Sequence, residues 1–145
     1  MFYGQEAGNK PANDEEISIT KESWNVMAIV GVITEEIIAL LKLSVPAGTP
    51  IYLGSSNIAH MQEKHPEDYE KYGADLPSIL AAPDYVGQNP KDGSIEYVKD
   101  YVVNGEYVKV AVRISVSGRY FARSMYVLNP NRVQNFIRKG TLKRT

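Results

Sequence analysis

The side chains best suited to moving protons and holding negative charge fall in two short stretches. The first is "HMQEKHP", which contains both histidines of the chain, His60 and His65. The second is "YVKVAVRISVSGRYFARSMYVL", Tyr107 to Leu128. There apolar residues take every second position, and Lys109, Arg113, Ser115, Ser124 and Tyr126 fall between them. Imidazole titrates near neutral pH and serves as a general acid or base. Lysine and arginine stabilise developing negative charge, and hydroxyls position an anion or donate a proton to it. These are the groups that acid–base chemistry on a phosphodiester requires.

The histidine spacing argues against zinc. H-E-x-x-H and H-x-x-E-H motifs place the histidines four apart on one helix face, whereas these are five apart, about 140° around the helix. The chain has no cysteine to supply a further ligand, and no cofactor is expected. Helix phase separates the two rings. His65 falls on the apolar stripe with Ile58 and Met61, and His60 points away with Asn57 and Lys64. Read as ordinary structure, His65 is a hydrogen-bonded core residue and His60 is surface. Read as chemistry, either is a base or an acid.

Several elements must position these groups. Residues 1–16 are polar and read as a flexible head, and residues 17–49 as a helical or extended lead-in. Within it "ISITKESWNVMAIVGVI" has no clean period, while "TEEIIALLKL" is a helix capped by Thr34. "IYLG" is a short strand, and Asn57 can cap a helix over "IAHMQEKH" that stops before Pro66. "PEDYEKYG" and "PSILAAP" are helical turns. From Pro83 strands dominate, joined by "NPKDG", Asn104-Gly105 and Ser117-Gly118. "NPNRVQNFIRKG" closes the pattern as a helix with Asn129 as cap, Pro130 in the first turn and Gly140 past the end. The expected fold is α+β: N-terminal helices packed on a four-stranded antiparallel meander with a short C-terminal helix. Residues 50–145 form its main domain, within one compact unit overall.

Two-residue turns fix the pairing by arithmetic. They put Asp100 opposite Lys109, Glu96 opposite Arg113, Arg113 opposite Ala122 and Lys109 opposite Tyr126. One face then carries Glu96, Asp100, Lys109, Arg113, Ser115, Tyr120, Ser124 and Tyr126 around Ala111 and Ala122. The other carries the core, including Ile114, Phe121 and Met125, with Lys99 and Arg123 as exceptions. Opposed charges decorate any wet sheet, at about 0.2–1 kcal/mol per pair. The same face also makes a shallow cationic bed for a phosphate.

Bulk charge bears on that choice. Residues 1–104 carry 7 Lys+Arg against 16 Asp+Glu, and residues 105–145 carry 9 against 1. Such segregation suits an anionic partner, or neutralisation of one half by the other. Without cysteine, a basic-then-apolar leader or a long apolar run, the expectation is a cytoplasmic protein with no membrane association.

The run from "IYLGSSNIAHMQEKHPEDYEKYGADLPSILAAPDYVG" through "VKVAVRISVSGRYFARSMYVLNPNRVQNFIRKGTL" resembles a phage and mobile-element family. Its members are nuclease-like domains related to barnase, poly-U endoribonucleases, colicin tRNases and RelE-type toxins. The resemblance covers roughly residues 50–143. It implies metal-independent cleavage of RNA, with tRNA one candidate substrate, by attack of a ribose 2′-hydroxyl that leaves a 2′,3′-cyclic phosphate. On that reading His60 or His65 is general base or acid, and Lys109 and Arg113 hold the phosphate. Ser124 and Tyr126 orient it or donate a proton. Arg119, Arg123, Arg132 and Lys139 are further RNA contacts. A protein partner, such as an antitoxin or host target, also fits the family. The rival reading is a catalytically silent module that binds RNA or blocks another protein as an anti-defence or immunity factor.

Overall fold

The computed structural model describes residues 26–145. The head expected over residues 1–16, and the lead-in up to residue 25, lie outside the described residues. The elements run β1 (Met27–Ile33), α1 (Glu35–Leu41), β2 (Thr49–Gly54), α2 (Ser55–Lys64), α3 (Pro66–Tyr72), a 3-10 turn, and α4 (Leu76–Ala81). They continue with β3 (Tyr85–Gln88), β4 (Ile95–Tyr101), β5 (Glu106–Ile114), β6 (Tyr120–Leu128), α5 (Pro130–Lys139) and β7 (Leu142–Arg144).

The expected four-stranded meander is overturned. The strands form one seven-stranded sheet in the order β1-β2-β6-β5-β4-β3-β7. It is mixed, because β2 runs parallel to β6 while every other pair is antiparallel. Nor do helices lead the described chain; β1 does. Its apolar run lacks a period because it is a bulged edge strand whose register shifts between Ile29 and Gly31, so alternation breaks mid-strand.

Helices cover both sheet faces. On one, Ile37 of α1, Met61 of α2, Tyr72 of α3 and Leu76, Ile79 and Leu80 of α4 pack with Ile51, Tyr97, Val108, Val110, Val112 and Met125. On the other, α5 lays Val133 against Val98, Leu128 and Leu142. Val108, Val110 and Val112 are all fully buried. At roughly 1.5–3 kcal/mol for each such side chain, a one-residue slip of β5 would cost several kcal/mol. That burial fixes which β5 residues look the other way: Lys109, Ala111 and Arg113.

The β4–β5 register lies two residues from the two-residue-turn arithmetic. Tyr101 pairs with Glu106, so Val102–Gly105 form a four-residue loop. There the Asn104 and Gly105 N–H groups donate to Tyr101 O and Val102 O. A shift of two preserves each residue's face but exchanges partners: Val98 faces Lys109 and Glu96 faces Ala111.

Local signals account for the helix ends. The Ile37 N–H donates to Thr34 Oγ1 at 3.3 Å, and the Asn129 side chain accepts from Asn131 N at 2.8 Å. Gly140 closes α5 at φ +78°. Past it, β7 docks on β3, which presses the Thr141 backbone against Gly87. A Cβ placed at Gly87 would collide with the Thr141 carbonyl oxygen. Among the described residues no helix is long and apolar enough to cross a membrane.

Gly87→Ala is therefore expected to destabilise the fold by about 1–3 kcal/mol, the usual cost of overpacking. Thermal unfolding checks this. A midpoint unchanged from the parent would show that the β3–β7 contact yields freely.

Candidate functional site

Strand β2 pairs with β6 only at Ile51–Tyr120 and Tyr52–Phe121. Its last residue, Gly54, is the N-cap of α2, and the Gly54 N–H donates to Asn57 Oδ1 at 2.8 Å. Asn57 is thus not the cap expected from sequence; it reaches back from inside the first turn. The chain turns from strand to helix without a loop, so α2 lies beside the rest of β6. Its buried Met61 anchors it in the main core, which leaves His60 exposed above the opposite face.

Strand β6 supplies the second piece. Ala111 pairs with Ser124 and Val112 with Ala122, so Arg123 is an extra residue bulging from the ladder. The uninterrupted arithmetic assigned Arg123 to the core and Ala122 to the polar face. The bulge reverses both: Ala122 is fully buried, and Arg123 is exposed beside Ser124. Beyond the bulge Arg113 pairs with Phe121. Ile114, assigned to the core, is 51% exposed.

The result is an open cleft of about 510 Å³. Arg113, Arg123, Ser124 and His60 line it together, with Ser56 and Asn57 from the first turn of α2 and Asp92 and Ser94 from the β3–β4 loop. Asn57 has its oxygen occupied by Gly54, which leaves its amide N–H groups for the cleft. The first turn of a helix adds a favourable field for an anion. Arg113 Nη1 is 3.9 Å from Asp92 Oδ2, a loose pair with side chains 49% and 39% exposed. Hydrogen bonding from Ser94, the backbone N–H first, holds the Asp92 carboxyl below its ordinary value, and Arg113 adds to this. Asp92 therefore steers Arg113 as an anion, and the guanidinium keeps free donors. Sequence reading passed over Asp92, Ser94, Ser56 and Asn57; Asp92 lies in "NPKDG", which reads as a turn and nothing more.

The remaining candidates sit elsewhere. Lys109 Nζ is 3.2 Å from Glu96 Oε2, with both side chains only 14% exposed. The pairings assigned from sequence, Asp100 with Lys109 and Glu96 with Arg113, are thus replaced through the two-residue shift. Lys109 also lies 5.0 Å from the Tyr126 ring centroid. Burial alone would lower its pKa, but Tyr126 and Glu96 outweigh that and hold it above the ordinary value. Lys109 is a fixed cation. His65 stacks on the other partner, Tyr126, with ring centroids 4.8 Å apart, and it lines a separate recess with Pro66 and Asp68. Arg119, in the β5–β6 turn, lies 5.8 Å from the Tyr52 ring. Arg132 covers Phe136 at 5.5 Å, and Lys139 is exposed in the last turn of α5. Among the described residues no cluster of three or more histidines and carboxylates is placed to hold a metal ion.

Chemically the cleft can take up a proton at one imidazole and hold an anion between two guanidiniums and a hydroxyl. Residues 27–135, about three quarters of the chain, match the family described as phage-Barnase-EndoU-ColicinE5/D-RelE like nuclease3. No curated protein and no solved structure matches it.

Because the Asp92 pKa is depressed on folding, its contribution to stability is present above the unfolded value of 3.8. It is lost as pH falls through the lower folded value. Asp92→Asn is expected to lower the unfolding midpoint at neutral pH, where the carboxylate contributes, and to leave it nearly unmoved at the acid end, where the parent has lost that contribution too. Thermal unfolding from neutral pH through the acid range measures both.

Proposed function

The chain belongs to this nuclease family, and from that premise we propose that it is a metal-independent endoribonuclease acting at the cleft between α2 and β6. The observation that carries the reading is the convergence of His60, Arg113, Arg123 and Ser124 on one open space.

In the proposed reaction the 2′-oxygen of the ribose attacks the adjacent phosphorus while His60 takes the 2′-hydroxyl proton. The phosphorane gains a second negative charge, which Arg113 and Arg123 stabilise with charge-assisted hydrogen bonds. Ser124 donates to a non-bridging oxygen and fixes the phosphate on the sheet. The bond from phosphorus to the 5′-oxygen breaks, and that oxygen takes a proton from water at the open mouth. The products are a 2′,3′-cyclic phosphate and a free 5′-hydroxyl. Of the two histidines, His60 is the better base because it lines the cleft, whereas His65 is committed to the face of Tyr126. Lys109 and Tyr126 act as supports along the same sheet face, and Lys109 keeps a positive charge near the backbone of the RNA. Arg119, Arg132 and Lys139 extend the cationic surface around the site.

Incubation with total tRNA and a mixed-sequence RNA in excess EDTA tests this. The protein is expected to yield discrete fragments with cyclic-phosphate ends. His60→Ala should slow cleavage by about 10²–10⁴-fold, the range for loss of a general base. Arg113→Ala and Arg123→Ala should each slow it by about 10²–10³-fold, the range for loss of one charge-stabilising donor. RNA left intact by the parent protein would remove catalysis from the account.

A further inference from the structure

A second recess, about 120 Å³ in volume, opens on the same face of the sheet. Lys109 and Glu96 line it from the strands, Asn89 and Pro90 from the β3–β4 loop, and Arg132 and Phe136 from α5. The same loop and strand serve both sites: Asp92 and Ala111 line the cleft, Asn89 and Lys109 the recess. From Ala111 to Lys109 is two residues of strand, about 7 Å. That is the scale of one nucleotide step. A chain whose phosphate sits between Arg113 and Arg123 can deliver a neighbouring base here.

Two features of the recess suit a base. Phe136 presents a half-buried ring with the Arg132 guanidinium 5.5 Å from its centroid, a surface on which a base can stack. Glu96 presents a carboxylate already fixed at one oxygen. Its Oε2 accepts from Lys109 Nζ at 3.2 Å and from Asn89 Nδ2 at 3.3 Å. No hydrogen bond among the described residues reaches Oε1. Asn89 Oδ1 already accepts the Lys91 N–H at 2.8 Å, so the unpaired carboxylate oxygen is the stronger acceptor of the two. The recess therefore offers a ligand one strong, pre-oriented acceptor beside an aromatic floor. Guanine, adenine and cytosine carry exocyclic amino groups that donate to a carboxylate. Uracil has none, and its single ring N–H lies between two carbonyl oxygens that a carboxylate repels.

We infer that Glu96, Asn89 and Phe136 form a nucleobase subsite that selects amino-bearing bases over uracil beside the scissile phosphate. The inference rests on the ribonuclease reading of the adjoining cleft. Glu96→Gln gives it a sharp test. The amide oxygen of glutamine keeps the bonds to Lys109 and Asn89, and its NH₂ takes the place of Oε1. Acceptor becomes donor, and the preference should turn toward uracil.

The experiment uses the full chain as parent, Glu96→Gln and Phe136→Leu, the leucine keeping the apolar contact of α5 without the ring. Cleavage sites are mapped on a mixed-sequence RNA, and the four 3′-ribonucleoside monophosphates are titrated by NMR. The parent should prefer amino-bearing bases over uracil by roughly tenfold or more, the scale of a specific base contact. That ratio should collapse or invert in Glu96→Gln, and affinity for all four monophosphates should fall in Phe136→Leu. A parent that cuts with no base preference, or a Glu96→Gln protein with the parent's preference, overturns the subsite and leaves the ribonuclease reading standing. A parent that leaves RNA intact but binds the monophosphates in the expected order overturns the ribonuclease reading and keeps the subsite. Equal binding of all four monophosphates overturns the subsite whether or not RNA is cut.

Discussion

Strand β2 stops following β6 after two paired residues, and the site depends on that departure. Had β2 continued, its backbone would have paired with β6 through Ser124 and closed the sheet there. Instead Gly54 ends the strand and Ser55 begins a helix. Helix α2 takes the vacated position, and Met61 holds it in the core. The freed flank of β6 can then bulge at Arg123, since no strand on that side fixes its register. Two guanidiniums, a hydroxyl and an imidazole come from three elements into one opening. The strand-to-helix turn and the bulge are one structural event, because each needs the space the other leaves.

The charges along this face divide into two kinds. Lys109 and Glu96 are nearly enclosed and satisfy each other, with Tyr126 beside the ammonium. Burial strips both groups of hydration, and for the ammonium the interactions with Tyr126 and Glu96 outweigh that loss, so the pair stays charged and fixed in place. Arg113 and Arg123 are different. Arg113 has one loose, half-exposed partner at 3.9 Å, and Arg123 stands on a bulge open to solvent. Their donors remain available for charge-assisted hydrogen bonds to an incoming anion. The closed pair thus stiffens the bed that the open guanidiniums use.

What the sequence disclosed follows from how local each signal is. Helix α5 was legible to the residue, because Asn129, Pro130 and Gly140 act within one turn of each end. The alternation of Lys109, Ala111 and Arg113 against three buried valines was legible too, because it has period two and a strong burial term. Partners were less legible. "VVNG" forms a four-residue loop, which moves every β4–β5 partner by two without altering a face. Nothing in "FARS" marks a bulge, so Arg123 was assigned to the core; only the tertiary position of α2 decides it. Strand β7 is three residues long, too short for any period, and the parallel β2–β6 contact joins segments far apart in sequence. The convergence of His60 with Arg123 was therefore hidden, although both residues were recognised individually.

On the proposed reading one histidine, His60, shares an anion site with Arg113 and Arg123, and His65 stands outside it. A titration of the imidazole NMR resonances with a dinucleotide lacking the 2′-hydroxyl tests it directly, because the ligand binds without being cut. The His60 ring resonances are expected to shift on binding, Arg113→Ala and Arg123→Ala each to weaken the shift, and the His65 resonances to stay in place. Movement of His65 with His60 unmoved would contradict it and would put the site on the other side of Tyr126.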